Sequence, residues 1–113
     1  MSNIIGVLAR VFVDDIDAAV ELYQSLSGGQ QPARFRFRDV ELARVGPFLL
    51  LSGNTAAYRD RVATLLVHDL QPVINDVERA GGQILEGPSP APSGRRLIAH
   101  HPDGSVFEYI ESG

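Results

Sequence analysis

An α+β fold built from two βαβββ modules is predicted by three features of the chain. They are a constant offset between two similar segments, an aspartate opening a helical pattern in each, and short apolar runs broken by turn residues after each helix. The segments are "VFVDDIDAAVELYQSLSGG" and "LLVHDLQPVINDVERAGG". Asp15 and Asp69, Ile16 and Leu70, Val20 and Ile74, Tyr23 and Val77, and Gly28 and Gly82 each stand 54 residues apart. Repetition at half the chain length means one supersecondary unit used twice, each copy too small to bury its apolar face alone.

The first strand is expected over residues 4–13. In the helix that follows, Ile16, Ala19, Val20, Tyr23 and Leu26 recur at i, i+3, i+4 and form one stripe facing a sheet. Asp14 or Asp15 caps its start and Gly28 supplies the left-handed residue that ends it. Strands follow over 33–38, 40–46 and 48–52, and "GNTAAYRDR" links the copies. The second copy repeats the pattern: a strand over 61–68, a helix with Leu70, Val73, Ile74, Val77 and Ala80 inward, and Pro72 in its first turn, where a missing N–H costs nothing. Its later strands are expected over 83–86, 95–101 and 105–111, with the Pro, Gly and Ser-rich "EGPSPAPSG" as a loop over 86–94. The whole reads as a single domain, with module 1 over 1–53, a linker over 54–60 and module 2 over 61–113.

Composition excludes several classes of function. The chain of 113 residues is 44% apolar, and none of its apolar runs approaches the ~20 residues of a bilayer span. It has no lysine and a net charge of −4, which argues against a nucleic-acid surface and favours a neutral or cationic small ligand. Without cysteine there is neither a disulfide nor a thiolate, so any metal would rest on His, Asp and Glu. The first residues lack a basic segment followed by an apolar stretch, so a cytoplasmic location is expected.

The stretch "HHPDGSVFEYIE", residues 100–111, holds the side chains a metal site would use. Together with the two modules, "VFVDDIDAAVELY" and "HPDGSVFEYIE" resemble the vicinal oxygen chelate superfamily of glyoxalase I, extradiol dioxygenases, fosfomycin-modifying enzymes and bleomycin-resistance proteins. The resemblance covers essentially the whole chain. It implies a cup-shaped, incompletely closed β-barrel with a helix behind each half, commonly as a homodimer. It also implies a divalent metal held by His and Glu from the first and last strands of the modules. The corresponding positions here are Leu8, seven residues before Asp15, Val62, seven before Asp69, Leu50 or Leu51 in the fourth strand, and Glu108 in the last. Aliphatic side chains cannot coordinate a cation, so no metal or other cofactor is expected. If a metal binds, Glu108 would hold it with whichever of His100 and His101 shares its face. A three-residue turn with Gly104 left-handed selects His100; a two-residue turn selects His101.

Strand parity then lines the implied cup with Leu8, Arg10 and Phe12 from the first strand, and Val62, Thr64 and Leu66, with His68 at the end, from the fifth. Val106, Glu108 and Ile110 line it from the last. Val7, Ala9, Val11 and Val13 pack under the first helix, and Phe107 and Tyr109 under the second. An arginine and a glutamate in one concavity suggest that Arg10 neutralises Glu108 in place of a metal. Arg34, Arg36 and Arg38 form one strand face, either an anion receiver or an edge strand's charged guard. Arg95 and Arg96 would stand at the mouth of the cup. The favoured reading is a metal-free homodimer that sequesters a small, largely apolar and conceivably cationic molecule, as resistance proteins do. The alternatives are a metal-dependent lyase, isomerase or dioxygenase with Glu108 as its catalytic carboxylate, and a structural or regulatory module without a ligand.

Overall fold

A computed structural model of the chain describes residues 2–92 and 94–112; Met1, Ser93 and Gly113 lie outside the described residues. The elements are β1 (Ile4–Phe12), α1 (Ile16–Leu26), β2 (Ala33–Phe37), β3 (Val40–Val45) and β4 (Phe48–Gly53), then a 3₁₀ turn (Ala56–Tyr58). They continue with β5 (Arg61–Val67), α2 (Leu70–Arg79), β6 (Gln83–Ala91), β7 (Gly94–His100) and β8 (Val106–Glu111). The fold is α+β, as expected, and the βαβββ sequence occurs twice. The chain divides into two compact units: a middle unit, Leu8–Arg59, and a C-terminal unit of the residues from Asp60 onward with those up to Val7.

The two units share one internal plan. In the middle unit β2, β3 and β4 are antiparallel neighbours and β1 runs parallel beside β4, with Arg10 opposite Leu49 and Phe12 opposite Leu51. In the C-terminal unit β6, β7 and β8 are antiparallel neighbours and β5 runs parallel beside β8, with Thr64 opposite Glu108 and Leu66 opposite Ile110. A parallel pair needs a long crossover, and in each unit that crossover carries the helix.

Each helix begins where its aspartate caps it. Asp15, not Asp14, accepts the Ala18 N–H at 3.2 Å, and Asp69 accepts that of Gln71 at 2.9 Å. Gly28, with φ of 72°, follows α1 as expected. α1 buries Ile16 and Val20 against Ala43, Val45 and Leu50, with Val11, Val13 and Tyr23 packed around them. Tyr23 meets Phe48 edge to face at 4.7 Å. α2 buries Leu70, Val73 and Val77 against Leu65, Val67, Leu97, Ala99 and Tyr109, with Phe107 beside them.

Several expectations need correction, among them the inward places of Leu26 and Ala80, which are both exposed. Val7 and Ala9 do not pack under α1: Val7 is 56% exposed and Ala9 is exposed as well. α1 lies over β3 and β4, so only the far end of β1 reaches it. The segment 86–94 is not a loop, because β6 runs through it to Ala91. β6 pairs on one side with β7 and its register slips on both sides of Glu86, so Pro88 and Pro90 occupy an irregular edge where a missing N–H is tolerated. Gly87 makes the slip possible: at φ of 81°, a Cβ there would stand 2.5 Å from the Arg96 carbonyl oxygen.

Because Asp15 supplies the cap and Asp14 does not, Asp15→Ala is expected to lower stability by about 1 kcal/mol in urea unfolding. Asp14→Ala should stay within about 0.5 kcal/mol of the parent. Equal losses at the two positions would contradict the cap assignment.

Candidate functional site

In the C-terminal unit one sheet face lies under α2 and the other carries a connected set of charged side chains. Register places Thr64 and Leu66 of β5, Val106, Glu108 and Ile110 of β8, and Arg96, Ile98 and His100 of β7 on that second face. Glu86 of β6, opposite Ile98, joins them. Glu108 is the centre of the set. Its Oε1 accepts the Thr64 hydroxyl at 2.8 Å and its Oε2 accepts the Arg96 Nε–H at 3.2 Å. Arg96 turns its Nη1 to Glu86 Oε1 at 3.1 Å, and Arg61 Nη2 approaches the other Glu86 oxygen at 3.6 Å. Arg61 also donates to Asp60 at 2.6 Å.

Burial gives this set its energetic weight. The Arg96 side chain is 3% exposed and that of Glu108 13%, so both charges have left water and depend on each other. Thr64 is fully buried, and the hydroxyl it offers Glu108 satisfies a carboxylate oxygen that would otherwise face aliphatic neighbours.

The parity expected for Thr64, Leu66, Val106, Glu108 and Ile110 holds. Val62 departs from it, standing 59% exposed. β5 and β8 shift register between Arg61 and Thr64: Arg61 pairs with Val106 and Thr64 with Glu108, so β5 spends one extra residue there. A bulge reverses the alternation of side chains, and it brings Arg61 to the face where simple counting puts Val62. His68 is exposed at the end of the strand, its N–H bonded to the Asn3 carbonyl.

The alternative between the two histidines is settled by β7 and β8. Ile98 opposes Glu108 and Gly104 has φ of 94°, so His100 is on the Glu108 face. His101 lies on the other face, stacked on Phe107 at 4.5 Å with its Nε2 2.9 Å from the Tyr109 hydroxyl. Burial pushes the ionisation of that hydroxyl upward. The adjacent Arg95 and Arg96 also part: Arg95 makes two bonds to Glu111, at 3.1 and 3.0 Å, on the α2 side. Glu111 in turn accepts the first helical N–H, that of Leu70, at 3.0 Å.

In the middle unit Leu8, Arg10 and Phe12 share a face with Leu49 and Leu51, while Leu50 packs under α1. Leu8 is 4% exposed. Arg10 donates to the Tyr58 carbonyl at 3.2 Å and lies 5.9 Å from the Phe12 ring centre. The arginine row of β2 is engaged with carboxylates: Arg34 bonds Asp17 of α1, and Arg36 bonds Glu41 at 3.2 Å. With those partners it serves as a charged edge rather than an anion receiver.

The residues do not suit the divalent metal implied by the resemblance. Leu8, Val62 and Leu50 or Leu51 offer no donor atom, and Glu108 already accepts from a buried guanidinium and a hydroxyl. Among the described residues no three His, Asp or Glu side chains come together as metal ligands. Sequence reasoning missed Glu86 and Arg61, and it named Arg96 only as a residue of the cup mouth, beside Arg95. Arg96 was within reach, since it stands two residues before the Ile98 that one of the two turn lengths sets opposite Glu108; the bulge that brings in Arg61 left no signal.

No family model matches the chain, and no curated protein matches it. Among solved structures, an uncharacterised protein from Methanosarcina mazei superposes with a TM-score of 0.91 at 36% identity, over 100% of this chain and 95% of that one. The chain belongs to the family of that Methanosarcina protein. Methylmalonyl-CoA epimerase from Mycobacterium tuberculosis superposes with a TM-score of 0.70 at 16% identity, over 100% of this chain and 91% of the other. A methylmalonyl-CoA epimerase in complex with methylmalonyl-CoA and NH₄⁺ gives 0.72 at 18%, over 100% and 96%. At these identities the likeness to the epimerases is one of fold.

The Arg95 guanidinium, and after it the Leu70 N–H, hold the Glu111 carboxyl below its ordinary value of 4.5. A carboxylate depressed in the folded state stabilises above its unfolded pKa, and the contribution fades as pH falls through the folded one. The melting temperature should therefore drop as pH is lowered below about 4.5, and Glu111→Gln should make that drop shallower. An acid limb of unchanged steepness in the variant would contradict this.

Proposed function

We propose that this protein is a metal-free binder of a small, largely apolar molecule, a member of the vicinal oxygen chelate superfamily in which a guanidinium stands in for the metal. The observation that carries the reading is the buried Arg96–Glu108 pair, which gives the carboxylate its counter-charge from the protein's own chain. Methylmalonyl-CoA epimerase belongs to that superfamily, so the likeness of fold supports the membership.

The ligand residues we assign in the C-terminal unit are the partly exposed Val106, Glu108 and Ile110, with Thr64 and Leu66 buried beside them. Aliphatic side chains give area for burial, and the held carboxylate orients one polar group by accepting its hydrogen. The chain's net charge of −4 favours a neutral or cationic group there. Leu8, Arg10 and Phe12, on their own face of the middle unit, remain proposed ligand residues of that unit. We further infer a homodimer in the cytoplasm, without nucleic-acid or membrane partners, in line with the acidic, lysine-free composition; no helix among the described residues is long and apolar enough to cross a membrane.

An enzymatic reading rests on the epimerase fold, with Glu108 as the group that removes a substrate proton. Elemental analysis and melting curves with Ni²⁺, Zn²⁺, Mn²⁺ and Fe²⁺ test the first reading. A ligand at 100 times its Kd adds about 2.7 kcal/mol to the native state, a shift of several degrees. The expected outcome is no stoichiometric metal and no such shift; stoichiometric metal with a clear shift would overturn the reading. Methylmalonyl-CoA incubated with the protein in D₂O is expected to keep its C2 proton by NMR, and catalysed exchange would establish the enzyme instead.

A further inference from the structure

We propose that the cavity between α2 and the N-terminal segment of the C-terminal unit binds a small organic ammonium ion, cationic at its head and apolar in its tail. This goes beyond the reading of the Glu108 face and does not depend on it.

The cavity has a volume of about 250 Å³ and is lined by Asn3 and Ile4 from the N-terminal segment, Val73, Asp76 and Val77 from α2, and Tyr109 from β8. Tyr109 follows Glu108 in β8 and packs under α2, so alternation keeps the two sites on opposite faces of the sheet. Asn3 straps the N-terminal segment to the start of the helix. Its amide nitrogen donates to the Asp69 carbonyl at 2.8 Å and its amide oxygen accepts the Asp69 N–H at 3.0 Å, while its own carbonyl accepts the His68 N–H at 3.0 Å. These bonds hold Ile4 at the wall of the cavity yet leave it 44% exposed. The floor belongs to the core, since Val73, Val77 and Tyr109 are all buried. An apolar group entering here would cover the open flank of Ile4 and remove it from water.

Asp76 gives the cavity its sign. Among the described residues that line it, Asp76 alone carries a formal charge. It meets Arg79 at 3.2 Å along the helix, but the two side chains are 71% and 75% exposed, and a pair so open to water is worth little beside a better-placed cation. The internal repeat supplies a comparison. Leu22 holds in α1 the place that Asp76 holds in α2, 54 residues on, so the helical plan itself does not call for an acid there. A carboxylate at the rim above an aliphatic floor matches a ligand whose ammonium head stays partly hydrated while its hydrocarbon tail is buried.

Titration with hexylammonium chloride, followed residue by residue through the backbone amide signals in NMR, tests the proposal. Saturable shifts are expected at Asn3, Ile4, Val73 and Val77, with Thr64 and Glu108 unmoved. Asp76→Asn, at an exposed helical position whose change should leave the fold intact, is expected to weaken binding about threefold; Arg79→Gln, which frees Asp76 from its pair, should tighten it about twofold. Hexanol, of the same length without the charge, should bind about threefold more weakly than hexylammonium. No saturable shift at the four cavity amides, or equal affinities for hexanol and hexylammonium, would overturn the proposal. Shifts confined to Thr64 and Glu108 would overturn it as well while leaving the reading of the Glu108 face intact.

Discussion

The pairing of Arg96 with Glu108 sets the terms for the rest of the C-terminal unit. Two charges this deeply buried are tolerated only if every remaining oxygen and nitrogen finds a partner, and the surrounding sequence supplies them. Thr64 gives the hydroxyl, Glu86 takes the second arm of the guanidinium, and Arg61 balances Glu86. The contributors come from four strands, so the network pins β5, β6, β7 and β8 in a single register. The irregularities serve that requirement. The bulge in β5 turns Arg61 toward Glu86, and the slips in β6 accommodate Glu86 itself. Removing either charge breaks a buried ion pair, whereas a one-residue slip would carry a charge under α2.

The two units show how one plan is turned to different chemistry. Both set a capped helix over an antiparallel trio with a parallel fourth strand, and in both the helix packs its apolar stripe against the sheet. The opposite sides differ. In the C-terminal unit the buried Arg96 meets two carboxylates; in the middle unit Arg10 reaches the Tyr58 carbonyl and lies beside the Phe12 ring.

Much of this could be read from the chain. The 54-residue offset located both helices, and the aspartate rule located their caps, because periodicity and capping are local and recur in both copies. Alternation placed Thr64, Leu66, Glu108 and Ile110 on one face for the same reason. The failures share a cause in non-local pairing. Proline and glycine in 86–94 signal a loop unless it is known that β6 is an edge strand. Val62 was misplaced because a bulge depends on how the neighbouring strand pairs, and parity cannot foresee it. Arg96 was seen beside Arg95 as one basic pair, although alternation sends the two to opposite faces; it is Arg96 that reaches Glu108.

The most direct test of the account is a double-mutant cycle in urea unfolding with Arg96→Met, Glu108→Gln and their combination. If Arg96 is the internal counter-charge of Glu108, Arg96→Met alone should cost about 3 to 5 kcal/mol, and the combined variant should recover about 2 kcal/mol of that loss. Losses that simply add, to within about 0.5 kcal/mol, would show that the two side chains are not coupled and that the carboxylate is held by something else.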